Sequence, residues 1–472
     1  MFVFISHQLL LSQTTFTFKI HSEYTDTPID IIEGADAYYA TFAFMSYDTV
    51  YSYIRKFDYT GDSIKQVRLC KDSLKVYCGS MLINDEGNIV VVGFARNTYN
   101  GNYSIMLLEL TPDLEIVKTG ACATSFAQIG FTDLIKDNKS YIYSGDYTNG
   151  NEENIFTFRF DTNFQVLGAN TFNDSYKFHF STAIDPTTNN IKLAVCGSAI
   201  NGTFGNFYVL DSVLALKRID TIPKKLVNYY EIRYIKNHLF YLSGKDISVP
   251  HYDNYRIMLM DTSYHIYKDV TFGAVDTIDY PGLDRNMSFL QPNRVYCGLT
   301  RNIAEQIPIY STNKSWYGVY LLDDSLNILW KRFYGGDAYY MLRVIEATTD
   351  GGCLLAGRRY DYLTQDMEFD IVIVKMDSTG LITSTGPDVG MQAHDAIVYP
   401  NPGSNVINIE SGPQIYGAWF SLYDLAGKPL ERKQLNGQKE TLQTSALPNG
   451  VYLWNVVFKG KTLEGGKWVK TD

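Results

Sequence analysis

Acidic side chains carry the clearest chemistry in this chain. Asp366, Glu368 and Asp370 alternate in one polar stretch, and Glu152 and Glu153 stand side by side in another. Two carboxyl groups about 5–10 Å apart can cleave a glycosidic bond, one protonating the leaving oxygen while the other attacks or activates water. Spacing along the chain does not set that distance, and solvated loop acids look the same. No HExxH, GxSxG or GxxxxGK[ST] motif occurs. TTDGG at 348–352 lacks the alternating acidic ligands of a calcium loop and reads as a β-turn. The seven histidines are scattered without metal-ligand spacing, and the six cysteines include no CxxC pair. The expectation is isolated thiols on strands, with no metal and no cofactor.

A second chemistry is contact binding. RNTYNGNY (96–103), DYTNGNEEN (146–154), KDISVPHYDNY (245–255), TRNIAEQIPIYSTNKSWYG (300–318) and RRYDYLTQDMEF (358–369) are rich in Tyr, Asn and Arg. Tyrosine offers area and a hydrogen bond at small entropic cost. Tyr99, His251, Tyr252, Trp316, Tyr317, Arg359 and Tyr360 are the candidate contact residues. The chain holds 37 tyrosines, so polar loops of a tyrosine-rich protein would give the same picture. Net charge is −10 and no run of five basic residues occurs, which argues against a nucleic-acid partner.

Elements repeating along the chain must position these residues. NIVVVG ends at Gly93, SYIYSG at Gly145, IKLAVCG at Gly197, LFYLSG at Gly244, RVYCG at Gly298 and CLLAG at Gly357. The register one step earlier falls at Thr41 in YYATFAF. In phase with the glycine, a later apolar strand runs to Asp58, Asp113, Asp161, Asp211, Asp261, Asp323 or Asp377. Each unit therefore carries about four short strands, and no amphipathic helix of three turns is evident. Four-stranded units at this period fit a β-propeller, with seven registers. Residues 14–20, TTFTFKI, read like a fourth strand that precedes the first unit, and are expected to join the last one and fasten the ring. Tight turns then lie on one face, and the long loops share the opposite face with the crossings between units.

The unit at 315–357 resembles repeats of secreted bacterial propellers, without the marks of WD40 or sialidase-type repeats. MFVFISHQLLLSQ at 1–13 reads as the apolar half of a truncated signal peptide. Residues 381–397 lose the pattern and read as a linker. From 398 to 472 follows a compact β-rich unit. YPNP (399–402) opens it, Asp424, Gly427 and Lys428 make a mid-unit turn, LPNGVY spans Leu447 to Tyr452, and Lys467 and Lys470 sit near its end. This stretch resembles the type A C-terminal sorting domain of the type IX secretion system of Bacteroidota. On that resemblance Pro400, Asn401, Pro402, Asp424, Gly427, Pro448, Gly450, Tyr452, Lys467 and Lys470 carry the sorting signal, and the secretion machinery is the partner. It further implies passage through the periplasm to the medium or the outer-membrane surface.

The resulting expectation is an all-β protein: a propeller over 14–380, a linker over 381–397 and a small β-sandwich over 398–472. Its expected role is non-catalytic binding of glycan or protein through the long-loop face. The alternatives are a secreted glycan hydrolase with carboxylates at the central channel, or a structural surface protein.

Overall fold

The computed structural model describes residues 14–471, apart from 23, 46–49, 70–73, 98–102, 150–151, 173–176, 200–201, 223–225, 237, 250–251, 274–276, 305–310, 365–367 and 384–392. Residues 1–13, read above as a signal, lie outside that set. The described chain is built of strands, with one short 3-10 turn at Pro413–Ile415.

Seven antiparallel sheets precede the tail among the described residues. Each runs from an inner strand outward. The first uses Thr25–Glu33, Tyr38–Met45, Val50–Phe57 and Ser63–Arg68 in that order. Outer strands such as Ser63–Arg68 and Leu216–Thr221 are mostly exposed, whereas second strands are buried. Neighbouring inner strands touch in succession, and Tyr339–Ala347 of the seventh sheet returns to Thr25–Glu33 of the first. That closes a propeller ring. Apolar clusters fill the space between sheets, as where Val90, Val92, Ile105 and Leu107 meet Phe126, Phe156 and Phe160.

The clasp is the expected one. Phe16–Ile20 pairs antiparallel with Asp370–Met376 as the outer strand of the seventh sheet. Lys19 Nζ and the His21 ring both reach Asp370, at 3.2 and 2.8 Å. The clasp covers the outer edge of Asp370–Met376, which would otherwise lie open to another chain.

The repeated glycine marks a bulge in the inner strand beside it. Register shifts fall at 28/30, 78/81, 129/132, 227/231 and 342/344, next to Thr41, Gly93, Gly145, Gly244 and Gly357 on the second strand, and at 179/181, two residues along from the pair that Gly197 makes with Lys177. The bulge pushes inner backbone against that position. A Cβ on Gly93 would lie 2.0 Å from Tyr77 O, and one on Gly357 2.6 Å from Met341 O. At Gly93 and Gly357 only glycine fits so close an approach.

The repeated aspartate has an equally local cause. Asp161 Oδ1 accepts from the backbone N–H of Asn163 and Gln165, and Asp58, Asp211, Asp261, Asp323 and Asp377 do the same two and four residues on. Each caps the turn that follows the third strand, which in all but the seventh sheet leads into the fourth.

The tail forms two facing sheets around its own core. One orders Ala396–Tyr399, Val406–Ser411 and Lys439–Gln443. The other orders Pro429–Gln434, Trp419–Tyr423, Gly450–Phe458 and Lys461–Lys470. Ile407, Ile409, Phe420, Leu422, Val456 and Trp468 fill the space between them. The YPNP opening is stitched to the last strand. Trp468 Nε1 donates to Pro400 O, Val469 N to Asn401 Oδ1 and Lys470 Nζ to Ser404 O. Just before the tail, within the stretch read as a linker, Ala393–His394 pairs with the outer strand Ile328–Gly335 of the sixth sheet.

Candidate functional site

The bulges aim polar residues at the ring's centre, where they enclose a cavity of about 440 Å³. Its walls include Asp30, Asp133, Glu231, Arg233, Asp284, Arg285 and Arg343. Most of these charges already have partners, and the partners are neighbouring sheets. Met81 N donates to Asp30 Oδ2 at 2.8 Å, Thr182 N to Asp133 Oδ2 at 2.7 Å, and Asn286 N to Glu231 Oε2 at 2.8 Å. Ser181 and Ser288 accept the corresponding N–H groups of Ile232 and Ala347. The acids therefore act as staples from one inner strand to the next.

The arginines complete the pairing. Arg285 holds Asp30 and Glu346, each at 2.8 Å; Arg233 holds Glu231 Oε1 at 2.7 Å; Arg343 grips both oxygens of Asp284. Burial raises the Asp30 carboxyl to about 6 against the opposing pull of Arg285. Burial likewise pushes Asp284 and Glu231 up, with Arg343 and Arg233 opposing it. A buried carboxylate whose lone pairs are taken by backbone N–H and guanidinium has little left for a substrate proton.

The mouth of the cavity is different. Tyr77 stacks on Phe94 with ring centroids 4.9 Å apart, and Phe178, Gln128, Thr148 and Glu153 stand on the rim. Phe94 and Thr148 lie near the ends of second strands, and Glu153 near the start of a third, so the cavity opens toward the long-loop face. Burial raises the Glu153 carboxyl above its ordinary value.

The sequence-based candidates fall elsewhere. Tyr99 and His251 lie outside the described residues, as does the Tyr252 side chain. Tyr317 is a correction: it is fully buried, packs edge-on to Tyr340 and donates to Arg358 O at 2.9 Å. Its side chain lies in the apolar cluster between the sixth and seventh sheets, which gives it a core role rather than a contact one. Arg359 is held by Asp337 and Asp361, and Tyr360 packs against Phe369. Trp316 is partly exposed and lines a cleft of about 770 Å³ between the sixth sheet and the tail. Among the described candidates, Tyr317 and Arg359 both touch Tyr340.

Among the acids, Asp366 is outside the described residues and Asp370 serves the clasp. Among the described residues no group of three or more His, Cys, Asp or Glu is placed to hold a metal ion. Among the described residues, Cys78, Cys122, Cys196, Cys297 and Cys353 form no disulfide with one another.

Sequence reading missed the stapling charges. Their signal was available: each lies 11 to 14 residues before the repeated position, as Asp30 does before Thr41 and Arg343 before Gly357. A charge inside an otherwise apolar strand at a fixed offset from a bulge glycine marks an inward-facing position.

Residues 397–470 match the family described as a secretion system C-terminal sorting domain. The tail is thus a type IX sorting domain, and the protein is secreted or displayed on the cell surface. Such a domain implies contact with the secretion machinery. No helix among the described residues is long and apolar enough to cross a membrane. No curated protein sequence matches the chain. Among solved structures, the β-propeller domain of the trilobed protease from Pyrococcus furiosus is similar at 8% identity and a TM-score of 0.43, over 73% of this chain and 95% of that one. PorZ, a surface component of the type IX secretion system of Porphyromonas gingivalis, is similar at 12% identity and a TM-score of 0.27, over 94% of this chain and 51% of that one. The α-L-arabinofuranosidase Arb93A from Fusarium graminearum is similar at 8% identity and a TM-score of 0.42, over 77% and 97%.

Proposed function

We propose that this is an exported propeller that binds, without catalysis, a glycan or protein segment at the mouth of its central cavity, delivered there by its tail. The observation that carries this reading is the division of labour in the cavity. Asp30, Glu231 and Asp284 are consumed by staples, while Tyr77, Phe94, Phe178 and Gln128 form a partly open aromatic and amide rim. Stacked aromatic surface beside hydrogen-bonding amides suits sugar faces and extended peptide. The sorting tail supports a role outside the cell.

One observation favours the hydrolase reading. Glu153 shares the cavity with Asp146, and burial keeps its proton longer than usual, as a general acid requires. A glycan and peptide array probed with the full-length protein separates the two. Binding that weakens at least about tenfold in Phe94→Ala and Gln128→Ala but is unchanged in Glu153→Gln supports the binding reading. Turnover of any array glycan that Glu153→Gln abolishes overturns it.

A further inference from the structure

We propose that the sixth sheet carries a carboxylate receptor built from Arg301 and Lys331, and that Glu410 of the sorting tail is its built-in occupant. Arg301 ends the strand Val295–Arg301, and Lys331 lies on Ile328–Gly335. Neither side chain has any exposed surface. Arg301 is set in place by the ring itself. It grips Asp279, whose carboxylate also accepts from Asn302 N at 2.9 Å and Thr277 Oγ1 at 3.0 Å.

With the tail in place, two buried cations stand here, and the ring supplies them with the single carboxylate of Asp279. Buried charge left without a counter-charge is costly, so this place calls for one more anion. The tail supplies it. Glu410, on Val406–Ser411, sets Oε1 3.0 Å from Lys331 Nζ and Oε2 2.6 Å from Arg301. Tyr399 of the tail lies over the same guanidinium and bonds it at 3.0 Å through its hydroxyl. Gln414 adds a backbone contact, its Nε2 donating to Lys331 O at 2.7 Å.

The rest of the described junction is small: Arg332 pairs with Asp395 just before the tail, Gln414 bonds Asp395 and the Lys331 backbone, and the mixed apolar cluster joins Phe333 with Ile397, Tyr399 and Trp316. Within that junction Glu410 sits much as a ligand does: one buried carboxylate in a two-cation socket, flanked by the Tyr399 ring. The chemical class the socket accepts is a carboxylate, in the full chain one presented from a β-strand. This inference is independent of the central cavity and of what binds there.

The test uses the full-length protein and acetate as probe. Glu410→Ala should lower the melting temperature by about 5 °C or more, and acetate should restore at least about half of that loss with a saturable dose curve. Chloride or acetamide at matched concentration and ionic strength should not. Combining Glu410→Ala with Lys331→Met should abolish the acetate response. Recovery by chloride equal to that by acetate overturns the proposal. If Glu410→Ala does not fold, Glu410→Gln serves. Amide exchange at Ala393 and His394, which pair with the sixth sheet, should then quicken by about tenfold or more. Unchanged exchange there overturns it equally.

Discussion

At the scale of single residues, the fold spends its charges on seams. Asp30, Asp133 and Glu231 each receive a backbone N–H from the next sheet, and Asp370 ties down the clasp through Lys19 and His21. Asp26 sits beside that clasp, fully buried, with Ser22 Oγ donating to it at 2.5 Å. Burial, aided by Asp370 and Glu368, raises its carboxyl to about 7 against the Ser22 bond and His21. The folded state thus binds this proton more tightly than the unfolded chain, whose aspartate titrates near 3.8. The stability it contributes is present at acid pH and is lost as pH rises from about 4 through about 7. Asp26→Asn should therefore raise the urea midpoint at pH 8 and change it much less at pH 5. Equal shifts at both values would show that Asp26 is not the group responsible.

Elements are governed by two recurring devices, the bulge glycine and the capping aspartate. The glycine lets an inner strand swell toward the channel, and the aspartate turns the chain into its outer strand. Gly93→Ala places a Cβ against Tyr77 O, a backbone atom that cannot rotate away. The expected loss is about 3 kcal/mol in chemical denaturation. Gly87→Ala is a useful contrast. No atom lies within 4 Å there, so only its positive φ of 81° resists substitution, and the loss should be smaller. A loss at Gly93 no greater than at Gly87 would refute the close-approach account. In the turns, Phe164, Leu214 and Leu326 adopt positive φ three residues after the capping aspartate, and Leu114 does so three residues after Thr111, whose hydroxyl accepts from Glu115 N. Their side chains are buried, which offsets a conformation that L-residues otherwise avoid.

For the whole molecule, a ring and a sorting tail share one chain but keep separate cores. Deleting 398–472 should leave the propeller inside the periplasm, seen by fractionation and surface proteolysis; normal surface delivery without the tail would refute the sorting role. The sequence by itself determined the all-β class, the repeating unit, the fastening first strand and the sorting tail. Those features are local: strand alternation, turn chemistry and motif order act over a few residues, and repetition makes them audible. Only the tertiary structure decided which polar residues face one another. Asp30 meets Arg285 across 255 positions and Arg301 meets Glu410 across 109, separations that no periodicity encodes. Tyr317 went the same way, because the face on which a strand residue lies depends on register and on which sheet packs against it. Curling sheets into a ring brings remote strand centres together at its axis, so the central cavity exists only once the ring has closed.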